Sequence, residues 1–158
     1  MSGPSEQDLV KFVRREARLL DEKRFDEWYG LFADDGYYWV PAAPGQTDPH
    51  LQNSLAYEDK FLLKLRVERL KSPQAFSQKP ESRCHHLLQE PEVEEFSSSE
   101  MKMRTAFIYT ETRGDESQRY AATAWHTLVW KDGALKIRLK RVDILNCDAM
   151  LPSIQLFP

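Results

Sequence analysis

The residues best suited to chemistry are four histidines, two cysteines and the carboxylates scattered among them. Cys84-His85-His86 carries the spacing Cys-x-His. That is half of a Rieske signature, in which two cysteines and two histidines hold a [2Fe–2S] cluster. The other half reads Cys-x-x-His, but Cys147 is followed by Asp148, Ala149 and Met150. With the fourth ligand missing, no cluster is expected in this chain. A mononuclear iron site needs two histidines and one carboxylate on one side of the metal. His85 and His86 are adjacent on an expected strand, and adjacent strand side chains point to opposite faces. His50 falls in a proline-rich loop and His126 on a different strand, so no metal site is expected either. Two thiols make no disulfide framework, and both are expected to be reduced. No Gly-x-Ser-x-Gly, P-loop or dinucleotide fingerprint is present.

Acid–base chemistry without a metal remains. His86 and His126 on neighbouring strands, with Asp35, Tyr37 or Asp143 at the rim, would suit an isomerase or dehydratase working in an apolar pocket. The competing reading makes them hydrogen-bonded structural or interface residues, and spacing alone does not choose between the two.

The elements that would position these groups follow from periodicity. Residues 5–34 read as helix, with Leu9, Phe12, Val13, Ala17 and Leu20 on one face and a break near Lys23. Ser5 and Asp8 form a capping-box pattern. A second apolar set, Phe25, Trp28, Leu31 and Phe32, runs on to a stop at Asp34-Asp35-Gly36. Tyr37–Val40 reads as a short strand ended by Pro41. Three aromatics in a row there, Tyr37-Tyr38-Trp39, must point both ways, so one face either meets a partner or is buried too. A loop over 41–56 and a helix over 57–71, with Phe61, Leu62, Leu65 and Leu70 inward, complete the first half.

The second half has β-type composition over 84–97, 101–112, 119–130 and 134–147. Asp132-Gly133 marks a hairpin and Arg113-Gly114-Asp115-Glu116 another turn, with no adhesion role assigned to its Arg-Gly-Asp. Leu135, Ile137 and Leu139 share one face, while Val142 and Ile144 have the opposite parity. One extra residue near Lys140-Arg141, a β-bulge, reconciles them and implies a strongly curved sheet. Helices followed by antiparallel strands give an α+β class, here as a single domain over 1–158.

Composition narrows the partners. Twenty-two basic against 25 acidic residues leave a net charge of −3, so nucleic acid is not expected. No apolar run approaches the roughly 18 residues of a membrane span, so no membrane is expected. Met1–Glu6 lacks the basic and apolar regions of a secretory signal, and a cytoplasmic location is expected.

Several segments in order resemble the small (beta) subunit of the aromatic-ring-hydroxylating, Rieske non-haem iron dioxygenases. They are Glu16-Ala-Arg-Leu-Leu-Asp-Glu22, Asp26-Glu27-Trp28 and Tyr38-Trp39-Val40-Pro41, then Leu65-Arg66-Val67 with Arg69-Leu70. Pro80-Glu81-Ser82-Arg83 with His86-Leu87, and Asn146-Cys147-Asp148 with Leu151-Pro152, follow. The chain departs from the family at Cys84-His85, where Thr-Arg is usual, and at Pro91, which should interrupt a strand or place it at an edge. The resemblance implies the cone-shaped, NTF2-like (cystatin-like) fold: three N-terminal helices on a strongly curved, mostly antiparallel sheet. It implies a non-catalytic structural subunit of a dioxygenase for aromatic compound catabolism, in a hexamer of three large and three small subunits, the small ones in mutual contact as a trimer. The large subunit would carry the Rieske [2Fe–2S] cluster and mononuclear Fe(II), with NAD(P)H as electron source. Contact groups expected from this reading are Trp39, the Pro41–Pro49 loop, Arg83, His86, and the tail Leu151–Pro158 through Ile154, Leu156 and Phe157. The tail's alternative role is to cover the chain's own core. The alternative function is a stand-alone isomerase or dehydratase of the same fold.

Overall fold

Ser5 begins the first helix with a reciprocal cap. Its hydroxyl accepts the Asp8 N–H at 3.2 Å, and the Asp8 carboxylate accepts the Ser5 N–H at 2.9 Å. Helix α1 runs Glu6–Asp21 and buries Leu9, Val13, Glu16, Ala17, Leu19 and Leu20. Lys23, in the left-handed region at φ 58°, turns the chain into the short α2, Phe25–Tyr29. The computed structural model describes residues 2–72 and 80–158.

Helix does not continue to Asp34. Phe32 already lies on strand β1, Phe32–Pro41, opposite Ile137. The Leu31 carbonyl accepts the Ile137 N–H at 2.8 Å. Leu31 and Phe32 have helical spacing, but pairing with a distant strand overrides local propensity. Strand β2, Ser54–Asp59, pairs antiparallel with β1, which shortens the expected loop to 42–53. Buried Gln46 organises that loop, donating to the carbonyls of Asp48 at 3.4 Å and Gln52 at 3.2 Å.

Helix α3, Lys60–Lys71, is capped by the Asp59 carboxylate, which accepts the Leu62 N–H at 2.9 Å. The expected inward face is corrected. Leu63 and Val67 are buried, Leu70 is partly buried, and Phe61, Leu62 and Leu65 face outward. Apolar residues are spread around this helix, so periodicity could not choose a side; packing against α2, β1 and β2 does.

The remaining strands are β3 (Ser82–Leu88), β4 (Glu92–Phe96), β5 (Met101–Arg113), β6 (Glu116–Lys131) and β7 (Ala134–Ile144). The sheet order is β2-β1-β7-β6-β5-β3, with β4 also on β5; β1–β7 is parallel and the other pairs are antiparallel. Pro91 sits in the break between β3 and β4, which pair with successive stretches of β5 as one interrupted edge. Asp132 and Gly133, both at positive φ, form the two-residue turn into β7. The bulge lies slightly earlier than expected. Thr127 opposes Leu139 and Leu128 opposes Ile137, so Arg138 is the extra residue. The buried positions then run Ile137, Lys140, Val142, Ile144, and the slip turns a lysine toward the core. Helices and curved sheet enclose one apolar core in an α+β arrangement.

Candidate functional site

The inner face of the cone carries more than apolar groups. Glu16 projects from α1 and is 2% exposed. Its carboxylate accepts from Lys140 Nζ at 2.7 Å and Trp28 Nε1 at 2.7 Å, and lies 3.0 Å from His126 Nε2. Burial alone would push the Glu16 pKa up. The Lys140 ammonium and the His126 hydrogen bond outweigh it and hold this carboxyl well below the ordinary carboxylate range. A buried charge pair offsets its desolvation only when every polar atom finds a partner, and Trp28 and His126 supply those extra bonds here.

A second carboxylate–histidine pair lies at the end of α1. His86 Nδ1 is 2.6 Å from Asp21 Oδ1, and the His86 backbone N–H donates to the same carboxylate at 3.0 Å. Cys84 shares this face of β3, two residues away, with its sulfur 3.5 Å from the Leu20 carbonyl. Burial, aided by the Asp21 charge, pushes the Cys84 thiol up to about 12, so it stays protonated at neutral pH. The exposed His85 also approaches Asp21, at 3.5 Å.

Among the described residues, Asp21, Cys84 and His86 are the only three whose potential ligand atoms all lie within 4.8 Å of one another. That donor set does not match a Rieske cluster, which needs two cysteines and two histidines. Cys147 is a separate buried free thiol.

The structure therefore brings His86 and His126 to one place, though not as expected. Strand β5 lies between their strands, and both carboxylates come from α1. Asp35 is on the surface with Arg138, Asp143 pairs with Arg141, and Tyr37 stacks on Tyr57. The two histidines, with Thr105, Glu16 and Lys140, line a cavity of only about 10 Å³. Carboxylate–histidine dyads are what proton transfer requires, but this volume holds a water at most. Glu16 and Lys140 were not visible as site residues in the sequence. Lys140 needed the position of the bulge, and Glu16 was legible only as a charged residue on the apolar face of α1.

The other expected contact groups divide by exposure. Leu156 and Phe157 are buried in the chain's own core and Ile154 packs partly against it. Phe157 sits against Trp28 at 4.3 Å between ring centroids, and Arg66 lies over its other side at 4.1 Å. The Glu111 carboxylate accepts the N–H groups of Gln155 and Leu156, each at 2.9 Å. His86 is 7% exposed and committed to Asp21, while Arg83 is exposed. Trp39 is covered from outside by the Arg141 guanidinium at 4.5 Å and donates to Ser54 Oγ at 2.9 Å.

Exposed apolar side chains collect in two other places. One is the outer face of α3, where Phe61 is 67% and Leu65 48% exposed. The second is the outward sheet face, where Leu87 opposes Ile108 across β3 and β5. Beside them, Trp125 stands between Arg104 and Arg141.

Comparison with known proteins gives a consistent picture. The sequence model of the family described as ring hydroxylating beta subunit matches residues 15–149. The small oxygenase component of the p-cumate 2,3-dioxygenase system of Pseudomonas putida is 31% identical over 160 residues, covering 94% of this chain and 88% of that protein. The crystal structure of the beta subunit of benzoate 1,2-dioxygenase from Burkholderia mallei superposes with a TM-score of 0.79 at 25% identity, covering 99% of this chain and 100% of that one. An NTF2-like protein with a cystatin-like fold from Novosphingobium aromaticivorans superposes at 0.63 with 12% identity, covering 89% and 81% of the two chains, which bears on fold alone.

Proposed function

The chain belongs to the family of ring hydroxylating beta subunits, and from that membership we propose that it is the non-catalytic, structural small subunit of a multicomponent aromatic-ring-hydroxylating dioxygenase. The observation that carries the non-catalytic part is the lack of room at the two carboxylate–histidine pairs. The dyads Asp21–His86 and Glu16–His126 meet at a cavity of about 10 Å³, which admits no aromatic ring. That volume also counts against a stand-alone isomerase or dehydratase, which would need an open pocket at these groups.

On this reading the iron chemistry belongs to a large subunit, which holds a Rieske [2Fe–2S] cluster and mononuclear Fe(II) and draws electrons from NAD(P)H. The small subunit assembles with it in a hexamer of three large and three small chains, the small ones touching as a trimer, in the cytoplasm. All of the chain acts as one domain. Support for a permanent partner comes from the surface, since large exposed apolar patches mark interaction sites. Here exposed apolar side chains gather on α3 (Phe61, Leu62, Leu65) and on the outward sheet face (Leu87, Ile108, Trp125). With the exposed Arg83 and the loop after Pro41, these are the proposed contact regions. No helix among the described residues is long and apolar enough to cross a membrane.

The experiment is coexpression with a large subunit encoded beside it. The isolated small chain is expected to be colourless and free of stoichiometric iron, and the complex to carry iron and to hydroxylate an aromatic ring. Iron in the isolated chain at one or more per molecule, or isomerase activity lost on His126→Ala, would overturn the proposal.

A further inference from the structure

Cys84 and His86 have the Cys-x-His spacing of a metal-ligand pair, and the fold brings a third donor to them. Residues two apart on a strand share a face, so both side chains turn from β3 toward Asp21, the last residue of α1. The Cys84, His86 and Asp21 donor atoms all lie within 4.8 Å of one another. His86 Nδ1 is 2.6 Å from Asp21 Oδ1, and Cys84 Sγ is 3.9 Å from the same oxygen. From this we infer that Asp21, Cys84 and His86 form a binding site for one zinc ion.

The surroundings of Asp21 call for a cation. Its side chain is 19% exposed and stands at the C-terminal end of a helix, where the backbone dipole disfavours a negative charge and favours a positive one. Among the described residues its ion-pair partners are His85 and His86, and no lysine or arginine pairs with it. The Leu20 carbonyl, 3.5 Å from Cys84 Sγ, adds to the same field. Strand β3 lies at the edge of the sheet, and Asp21 sits against that edge, accepting the His86 backbone N–H at 3.0 Å. The exposed His85 therefore also reaches Asp21 Oδ2, at 3.5 Å. Its imidazole stands on the solvent side, where a tetrahedral ion has its fourth position.

The donor set selects the metal. A thiolate beside an imidazole suits zinc, whereas magnesium and calcium take oxygen ligands. Zinc bonds of about 2.0–2.3 Å set tetrahedral ligand atoms roughly 3.3–3.6 Å apart. The Cys84–Asp21 separation has to close slightly, and the His86–Asp21 separation to open by under about 1 Å. The protons balance. The Cys84 thiol gives its proton to solvent, and the His86 proton facing Asp21 moves to Nε2, so that Nδ1 presents a lone pair. The ion ties the end of α1 to the edge strand, a role independent of assembly with a large subunit.

The test uses the isolated full chain, stripped with a chelator. It is titrated with zinc chloride by calorimetry, and with cobalt(II) as a spectroscopic probe. The expected result is saturation at one zinc per chain, undisturbed by excess magnesium chloride, with a thiolate-to-cobalt charge-transfer band and a urea midpoint that rises with zinc. Cys84→Ser should abolish the band and weaken zinc binding by roughly 10-fold or more, since even outer partners of a metal site are worth that. Asp21→Asn should weaken binding too, and Cys147→Ser should leave binding and band unchanged. Unfolding curves without zinc check that each variant folds. Absence of saturable zinc binding would overturn the inference. So would displacement by magnesium, a folded Cys84→Ser or Asp21→Asn chain that binds zinc as tightly as the parent, or loss of the band in Cys147→Ser. None of these readouts needs the large subunit or its iron, so their failure is separable from failure of the subunit assignment.

Discussion

Glu16 and Lys140 form the most consequential pair of side chains in the molecule, each 2% exposed and 2.7 Å apart. In Glu16→Gln the Lys140 charge stays buried without its counterion, and such a break costs about 3–5 kcal/mol. Urea unfolding at pH 7 is expected to show a loss of that size. The pH dependence has a definite sign. The folded carboxyl titrates below its ordinary value of 4.5, so as pH falls through the unfolded value the unfolded chain takes up a proton that folded Glu16 refuses. Stability from this group is thus complete above about pH 4.5 and is lost in acid. Glu16→Gln should flatten that acid limb, which denaturant midpoints between pH 7 and pH 3 will show. The sequence hinted at the histidines of this network and concealed its charges. His86 and His126 could be singled out by type, whereas the carboxylates that engage them come from a helix more than 60 positions away in the chain.

Elements were legible where local signals and tertiary pairing agree. The Ser5 cap, the Asp132-Gly133 turn and the interruption at Pro91 each rest on a backbone requirement within a few residues, and each is found. Signals failed where a remote partner decides. Phe32 leaves its helical pattern to pair with Ile137, and α3 turns to bury Leu63 and Val67. Gly36 lies on the same β1–β7 seam. A Cβ there would stand 2.6 Å from the Ile137 carbonyl oxygen and 2.9 Å from that of Ala33. Both obstacles are backbone, so Gly36→Ala is expected to cost about 1–3 kcal/mol, the usual penalty of overpacking, measurable as a lower denaturation midpoint. On α3 the two faces should respond differently. Leu63→Ala, at a fully buried position, should cost about 2–5 kcal/mol in the isolated chain. Leu65→Ser, on the exposed face, should stay within about 0.5 kcal/mol there and instead lower the mass of the complex in native mass spectrometry.

At the scale of the whole molecule, the last eight residues decide whether the cone is a container or a plug. Phe157 fills the space between Phe25, Trp28 and Tyr38. The Tyr38 hydroxyl donates to the Pro158 carbonyl at 3.0 Å, and Arg66 donates to the Leu156 carbonyl at 2.7 Å. Apolar tail residues suit either a partner surface or the chain's own core; these partners are all internal, so the tail serves folding first. Deleting residues 153–158 removes Phe157 and leaves the Glu111 carboxylate without the two N–H groups it accepts. Phe157→Ala alone should cost the isolated chain about 3–5 kcal/mol, and the deletion at least as much. Arg83→Ala, at an exposed position, should leave the isolated chain unchanged. Loss of assembly with the large subunit therefore means different things in the two variants. In the deletion it follows from a weakened monomer, and raising the small-chain concentration should restore the complex. In Arg83→Ala a loss of complex mass at unchanged monomer stability would place this arginine in the contact. Unfolding curves of each isolated variant, set beside native masses of the coexpressed pair, separate the two cases. A deletion variant as stable as the parent would refute the plug.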